Sequence, residues 1–360
     1  MSKVIDPQQI NKVLAFYNYS LSNSKIAPLG NGLINCTYLV RSEDFNFVLQ
    51  RINHHVFKQP ADVIANAELI NQHLQQKKAQ ALYPLEPIWQ LNTNDGRVQV
   101  TEGENTWRAI QFIPNCYTLE TVANAKQAYQ VAQAFGQFTA ALSDFPADKL
   151  TEIIPQFHHL DFRLAQLQTA VSEDAKGRLS QCQSLVDFCF SQQTFIKHIA
   201  ELEQVLPLQV THNDTKINNL LFSSETNAPI AVIDLDTCMP GFVMHDFGDM
   251  VRTCCCNLPE DGTDLAKMTV RLDIFTALAQ GYVDSLAGTM NSLEQQSLIT
   301  GAQLLPFMIG IRFLTDFIEG DHYFHTAHPL HNLQRAKNQL HFFKLLHDIE
   351  PQLSKIVKKL

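Results

Sequence analysis

The chain has 360 residues, 45% of them apolar, which is enough to build a sizeable core in two domains or in one bilobal one. Its 36 acidic residues outnumber 27 basic ones, the formal charge is -9, and no basic run exceeds a pair, which argues against nucleic acid as the main partner. Leu304–Ile311 is the longest apolar candidate, well short of the roughly 18 to 20 residues of a membrane span, and the N-terminus lacks the apolar core of a signal peptide, so a cytoplasmic protein that meets no membrane is expected.

Ile10, Val13, Leu14 and Tyr17 recur at helical spacing and predict a first helix within 7–22. Gly30 and Gly32 come next, ahead of strand-like segments around 37–40 and 45–49. Glycines there let a backbone approach phosphates, although any tight turn can use them. A helix over about 61–74 places Val63, Ala67, Ile70 and Leu74 on one face. Segments 88–91 and 97–100, separated by Asn94-Asp95-Gly96, predict a hairpin, and 107–113 a further strand ending at Pro114. Beyond it the pattern turns helical, at 118–145, 179–205, 265–282, 293–319 and 332–348. Pro306 should kink or split the fourth of these. A β-rich first part and a helical second part make the fold class α+β. The eight cysteines are scattered or, at 254–256, consecutive; without C-x-x-C spacing they read as reduced structural thiols.

The densest chemistry lies in 211–241, THNDTKINNLLFSSETNAPIAVIDLDTCMPG. A strand over 208–211, a polar loop, a strand over 219–222, a Thr-Asn-Ala-Pro turn and an apolar run, 230–233, would bring Asp214, Asn219 and Asp234 close together. Phosphoryl transfer from ATP needs a carboxylate to orient and deprotonate the attacking hydroxyl, and oxygen ligands for Mg2+. Asp214 suits the first task, Asn219 and Asp234 the second, and Lys216 could set a cation on the transferring group. Asp246-Phe247-Gly248 spell DFG but lie much farther past Asn219 than Asp234 does, so the metal role goes to Asp234 and a structural one to Asp246. His212 reads as a brace for the loop. An H-x-D-x-x-x-x-N run also arises by chance in polar loops; the IDLD behind it and the N-terminal half in front of it weigh for function.

The H-x-D-x-K-x-x-N run resembles the catalytic loop of protein kinases. It is more closely similar to the aminoglycoside phosphotransferase and choline kinase family, whose pattern is H-G-D-x-x-x-x-N followed by I-D-x-[DE]; Asn213 stands where that family usually has Gly. The resemblance implies a bilobal protein-kinase-like fold, with a small β-rich N-lobe for the nucleotide, 1–113, and a larger, mainly helical C-lobe for the acceptor, 114–360, the chain crossing between them near 114. ATP and Mg2+ would be the cofactors. Kinase folds hold the α and β phosphates with a third-strand Lys, which FVLQR lacks. Gln50 has the register and Arg51 the charge, only one of them can face the nucleotide, and the choice stays open. Glu68 is placed like the helix Glu that pairs with such a cation, and equally like a solvated surface group. The backbone of Gln111 to Ile113 would meet the adenine edge.

Acceptor choice lies outside that core. THNDTK, IDLDT and MPG together with RFLTD, GD and YF, read from Leu29 to Gln339, resemble the N-acetylhexosamine 1-kinases. That implies transfer to the anomeric hydroxyl of N-acetylglucosamine or N-acetylgalactosamine, with Arg312 and Tyr323 on the sugar side, where an Arg fork and a Tyr face suit the task. Asp316, Asp321 and His158 are weaker candidates. Choline, homoserine, methylthioribose or an aminoglycoside are alternative acceptors, a quaternary ammonium wanting an aromatic cage. A non-catalytic binding module is a further alternative. A hydrolase is disfavoured for want of a nucleophile motif.

Overall fold

Residues 7–30, 34–43 and 45–360 are described by the computed structural model; Gly32 lies outside them. In chain order the elements are α1 (Pro7–Ala15), β1 (Ser24–Pro28), β2 (Cys36–Ser42), β3 (Asn46–Arg51), α2 (Pro60–Ala79), β4 (Gln90–Leu91), β5 (Val100–Glu102), β6 (Asn105–Gln111), β7 (Cys116–Tyr117), α3 (Ala125–Ala141), α4 (Leu160–Glu173), α5 (Gln183–Ser191), α6 (Gln193–Glu203), β8 (Gln209–Thr211), β9 (Leu220–Ser223), β10 (Pro229–Val232), β11 (Met239–Gly241), α7 (Val243–Cys254), α8 (Leu272–Ser285), α9 (Ser292–Glu319), α10 (His331–Asp348) and α11 (Glu350–Val357). The α+β class expected from the sequence is the one observed. The chain forms two compact units, one gathering the residues up to Tyr117 with Asp148–Ile154 and Leu221–Met239, the other Thr118–Ala147, Pro155–Leu220 and Pro240–Leu360.

The first unit is built on an antiparallel sheet of order β1-β2-β3-β6-β4, with β5 also on β6. Alternation along each strand sorts its side chains. Phe47 and Leu49 of β3 and Trp107 and Ala109 of β6 join Val13 and Leu14 of α1 in one apolar cluster. Their neighbours Gln50 and Arg108, cross-strand partners in the β3–β6 ladder, point to the other face. Segments 88–91 and 97–100 do not pair with each other as predicted: β4 and β5 both pair with β6. The Asn94-Asp95-Gly96 turn does form, closed by Thr93 N–H to the Arg97 carbonyl at 2.7 Å and by an Arg97–Asp95 ion pair at 2.7 Å.

The second unit is organised on α9. A capping box of Asn291 and Glu294 starts it and Gly320 at φ 111° ends it. Pro306 lies inside this helix, which runs on as one element and is not split. Leu304, Phe307, Ile311 and Leu314 pack against Leu160 and Leu164 of α4, Ile199 of α6 and Leu340 and Phe343 of α10. By length and composition α9 could cross a membrane, its best window having a mean hydropathy of 1.5, against the expectation that no segment comes close; 89% of that window is buried inside the protein. The helix predicted over 179–205 is broken, into α5 and α6, at Gln192, whose ψ of 35° is off the helical value.

Helices α7 and α9 cross through glycine. A Cβ on Gly248 would overlap the carbonyl of Gly301, and one on Gly301 would overlap the carbonyl of Met244. Gly248→Ala is therefore expected to force the helices apart and destabilise the protein by on the order of 2–3 kcal/mol. A thermal melt reads this directly, and an unchanged Tm would show that the crossing yields without strain.

Candidate active site

The predicted site residues divide between the two units: Asp214, Lys216, Asn219, Arg312 and Tyr323 in the second, Gly30, Gln50, Arg51, Glu68, Gln111, Ile113 and Asp234 in the first.

In the second unit, β8 delivers the chain to a buried loop. The His212 ring lies edge-on to Phe135 and Phe138 of α3, at centroid distances of 5.6 and 5.8 Å. Its Nδ1 accepts the Asp214 N–H at 3.3 Å, so the ring holds the backbone of the loop. Asn213 has φ 63°, in the left-handed region where Gly is easiest and Asn is the next best tolerated, so the departure from Gly keeps the backbone path. Thr211 Oγ1 donates to the Asn213 amide oxygen at 3.0 Å, and a Cβ on Gly241 would overlap Thr211, which accounts for the Gly of MPG. Beneath the loop, Asp246 of α7 accepts the N–H groups of His212 and Asn213 at 2.9 and 2.7 Å, and its own carbonyl accepts Thr215 Oγ1 at 2.6 Å. Burial pushes the Asp246 carboxyl up to about 7 despite those two backbone donors.

Asp214, Lys216 and Asn219 converge. Lys216 Nζ is 2.7 Å from Asp214 Oδ1, and Asn219 Nδ2 donates to Asp214 Oδ2 at 3.0 Å and to the Asp214 carbonyl at 2.8 Å. Asn219 thus turns its amide nitrogen toward Asp214. Burial raises the Asp214 carboxyl, but Lys216, His212 and Asn219 outweigh it and hold the group down at about 2. Burial likewise opposes charge on Lys216, and Asp214 and Asp249 overcome it, so the ammonium is held charged. Asp249 and Arg252 of α7 form a buried pair at 2.7 Å that Glu260 extends at 2.6 Å.

Arg312 sits over three rings, Phe157, Tyr323 and Phe324, at 5.3, 5.5 and 5.4 Å, and donates to the Tyr323 hydroxyl at 3.4 Å. Asp316 is taken up by the N–H groups of His322, Tyr323 and Phe324 and by Asn332, so it shapes the loop that carries Tyr323. Asp321 pairs with Arg178 at 2.5 Å. Burial pushes His158 down to about 3, so the ring is neutral, and its Nε2 donates to the Asn213 carbonyl at 3.1 Å. His245 lies 5.0 Å from it, ring to ring, and burial lowers it as well. Among the described residues His158 Nδ1 and both His245 nitrogens are buried without a protein hydrogen-bond partner.

In the first unit, Gly30 takes φ 70°, which a side chain resists. Gln50 and Arg51 part ways: Arg51 faces the α1 side and donates to Cys36 Sγ at 3.2 Å, while Gln50 shares a face with Arg108 and with Asp236 of the IDLD turn. Glu68 bonds Gln72 and Gln90, at 2.9 and 3.2 Å, and no bond joins it to Gln50 or Arg51. The Gln111 N–H is taken by the Trp89 carbonyl at 2.9 Å, and the Ile113 carbonyl accepts from Cys116 Sγ at 3.0 Å. Asp234 is exposed, with φ 61°, at the end of β10. Asp236 is buried, pairing with Arg108 through Oδ1 and accepting Asn35 Nδ2 at 2.6 Å through Oδ2. All eight cysteines are free, and no cluster of three His, Cys, Asp or Glu able to hold a metal occurs among the described residues. The carboxylate of Asp234 and the amide oxygen of Asn219 are nonetheless donors of the hard type that Mg2+ takes.

Arg108, Asp236 and His245 are the groups that sequence reasoning passed over, while Asp246 takes a structural place, bonded to the loop backbone. A lone charge inside the apolar strand WRAI was the one available signal for Arg108.

The family model described as "Phosphotransferase enzyme family" matches residues 25–279. Among solved structures, the microcompartment-associated aminopropanol kinase is 18% identical, with a TM-score of 0.63 over 97% of this chain and 99% of that one. An aminoglycoside phosphotransferase from Alicyclobacillus acidocaldarius is 13% identical, with a TM-score of 0.59 over 100% and 98%. A spectinomycin phosphotransferase, solved with ADP and spectinomycin, is 14% identical, with a TM-score of 0.54 over 99% of each chain. Likeness at these identities speaks for the fold, which is kinase-like.

Proposed function

The chain belongs to the phosphotransferase enzyme family, and from that premise we propose that it transfers the γ-phosphoryl of ATP to the anomeric hydroxyl of an N-acetylhexosamine, N-acetylglucosamine or N-acetylgalactosamine. The sequence resemblance supports the acceptor class, and one structural observation supports its neutrality. The aromatic trio that a quaternary ammonium would need closes on Arg312 itself. With Asp316 and Asp321 both taken up and His158 uncharged, Arg312 and the nearby Arg163 repel an ammonium acceptor, whereas hydroxyl and amide oxygens suit their forks.

In this reading Asp214 accepts a hydrogen bond from the sugar hydroxyl, aims it in line and takes its proton late. A carboxylate held at about 2 is a weak base, which suits a transfer in which the nucleophile needs orienting more than early deprotonation. Lys216 leaves Asp214 partly neutralised at rest and carries its charge to the transferring group. Asn219 and Asp234 would hold Mg2+, which when bound screens the phosphate charge. Asp234→Ala is expected to abolish Mg-ATP binding by calorimetry; unchanged affinity would move the metal site elsewhere. A cytoplasmic setting belongs to this reading, and eight free thiols suit a reducing compartment.

ADP release from Mg-ATP tests the acceptor, run with N-acetylhexosamines, plain hexoses, choline, homoserine and an aminoglycoside. Turnover confined to N-acetylhexosamines is the expected result. Turnover with choline or the aminoglycoside alone would overturn the neutral-acceptor reading and leave the kinase reading standing.

A further inference from the structure

The third strand of the sheet has no lysine, yet the face that bears the IDLD turn is not without a cation. We propose that Arg108, carried on β6, is the phosphate-binding cation of the nucleotide site, and that Gln50 positions it; this rests on the kinase reading above. Register fixes the pair: Gln50 of β3 lies opposite Arg108, and opposite Thr37 on its other side. Gln50 Oε1 accepts from Arg108 Nε and Nη2 at 2.9 and 2.8 Å, and Gln50 Nε2 donates to Thr37 Oγ1 at 3.1 Å. A lysine at 50 would put its charge in the same place from the neighbouring strand. The glutamine gives up that charge and clamps one that comes from β6.

The rest of the constellation points the same way. Arg108 Nη2 also meets Asp236 Oδ1, and Asp236 Oδ2 accepts Asn35, the residue just ahead of β2. Asp236 is two residues from Asp234, so the guanidinium is tied, through Asp236, both to the start of β2 and to the turn that carries the metal-type carboxylate. Nε and Nη2 are engaged; Nη1, the third arm, has no hydrogen-bond partner among the described residues. Arg108 is 4% exposed and Asp236 2%. A buried ion pair contributes little net stability against a well-packed apolar pair, so a guanidinium held by three hydrogen bonds to two side chains, with one fork arm left over, is better explained by an anion it receives. Nη1 alone still carries two N–H donors, which suit phosphate oxygens. Arg51, the other candidate cation, is turned to the opposite face beside Cys36 and Trp107.

The test is binding of ADP and of adenosine to the purified full chain by calorimetry, in EDTA so that no metal ion contributes. Asp236→Asn serves as the reference background, because Arg108→Met alone would strand a buried carboxylate. Against D236N, the double variant R108M/D236N is expected to bind ADP about tenfold more weakly and adenosine equally well, and adding Gln50→Lys is expected to restore most of the ADP affinity. ADP affinity unchanged in the double variant, or a parallel loss for adenosine together with a lower Tm, would reduce Arg108 to a structural strut and overturn the proposal. Should D236N and the unsubstituted protein both fail to bind ADP and adenosine, the nucleotide reading itself falls and the proposal with it.

Discussion

Asp214→Asn is expected to lower turnover by about 10³-fold or more, while the protein stays folded and keeps its nucleotide affinity. The argument is geometric. Asp214 is the carboxylate at which Lys216 and Asn219 converge, and its backbone is fixed by the His212 ring. An asparagine keeps the size and the hydrogen bond to Asn219, but it exchanges an acceptor of the hydroxyl proton for an amide that cannot take one. Its loss of charge also releases Lys216, so kcat should fall far more than nucleotide affinity. Single-turnover kinetics with a calorimetric check on ATP separates the two, and near-normal turnover would remove Asp214 from the chemistry.

Asp246→Ala is expected to cost both stability, about 2–5 kcal/mol, and most of the activity. The carboxylate is fully buried and satisfies two successive N–H groups of the loop after β8, at His212 and Asn213. Alanine leaves both donors buried and unpaired. Asn213 already sits at φ 63°, so the loop has little reason to keep its path once that acceptor is gone. A urea or thermal melt gives the stability, and kcat measured well below the lowered Tm gives the activity. A stable but inactive D246A variant would mean that Asp246 reaches the reacting groups more directly; a stable and active one would mean the loop holds itself. The raised Asp246 group has a consequence of known sign. The fold binds this proton more tightly than the unfolded chain does, so its contribution to stability is present below about pH 4 and is lost as pH rises toward about 7.

How far the sequence spoke depended on whether a signal was local. The H-x-D-x-K-x-x-N loop carries its chemistry in neighbouring residues, and β8, β9 and β10 came out close to their expected places because turn residues separate short apolar runs. Helix α7 left no such trace. Every residue from Val243 to Arg252 is buried, the polar Asp246, Asp249 and Arg252 included, so no polar face alternates with an apolar one. That is also why the DFG triplet could be set aside as a metal site without its bracing role being visible. Pro306 misled in the opposite sense: a helix gripped by α4, α7 and α10 tolerates one lost hydrogen bond that an exposed helix would not. The choice between Gln50 and Arg51 depended on strand register, which one residue of slip reverses. Arg108 belonged to a strand whose pairing with β3 no local pattern announced.

The most direct test of the account is the position of the phosphate in the product. The protein is incubated with Mg-ATP and N-acetylglucosamine or N-acetylgalactosamine, and the product is read by phosphorus and proton NMR. Coupling of phosphorus to the anomeric proton, in a product labile to mild acid, is the predicted result. Phosphorus coupled to the protons at C6, or no sugar phosphate while an amino alcohol is phosphorylated, would contradict it.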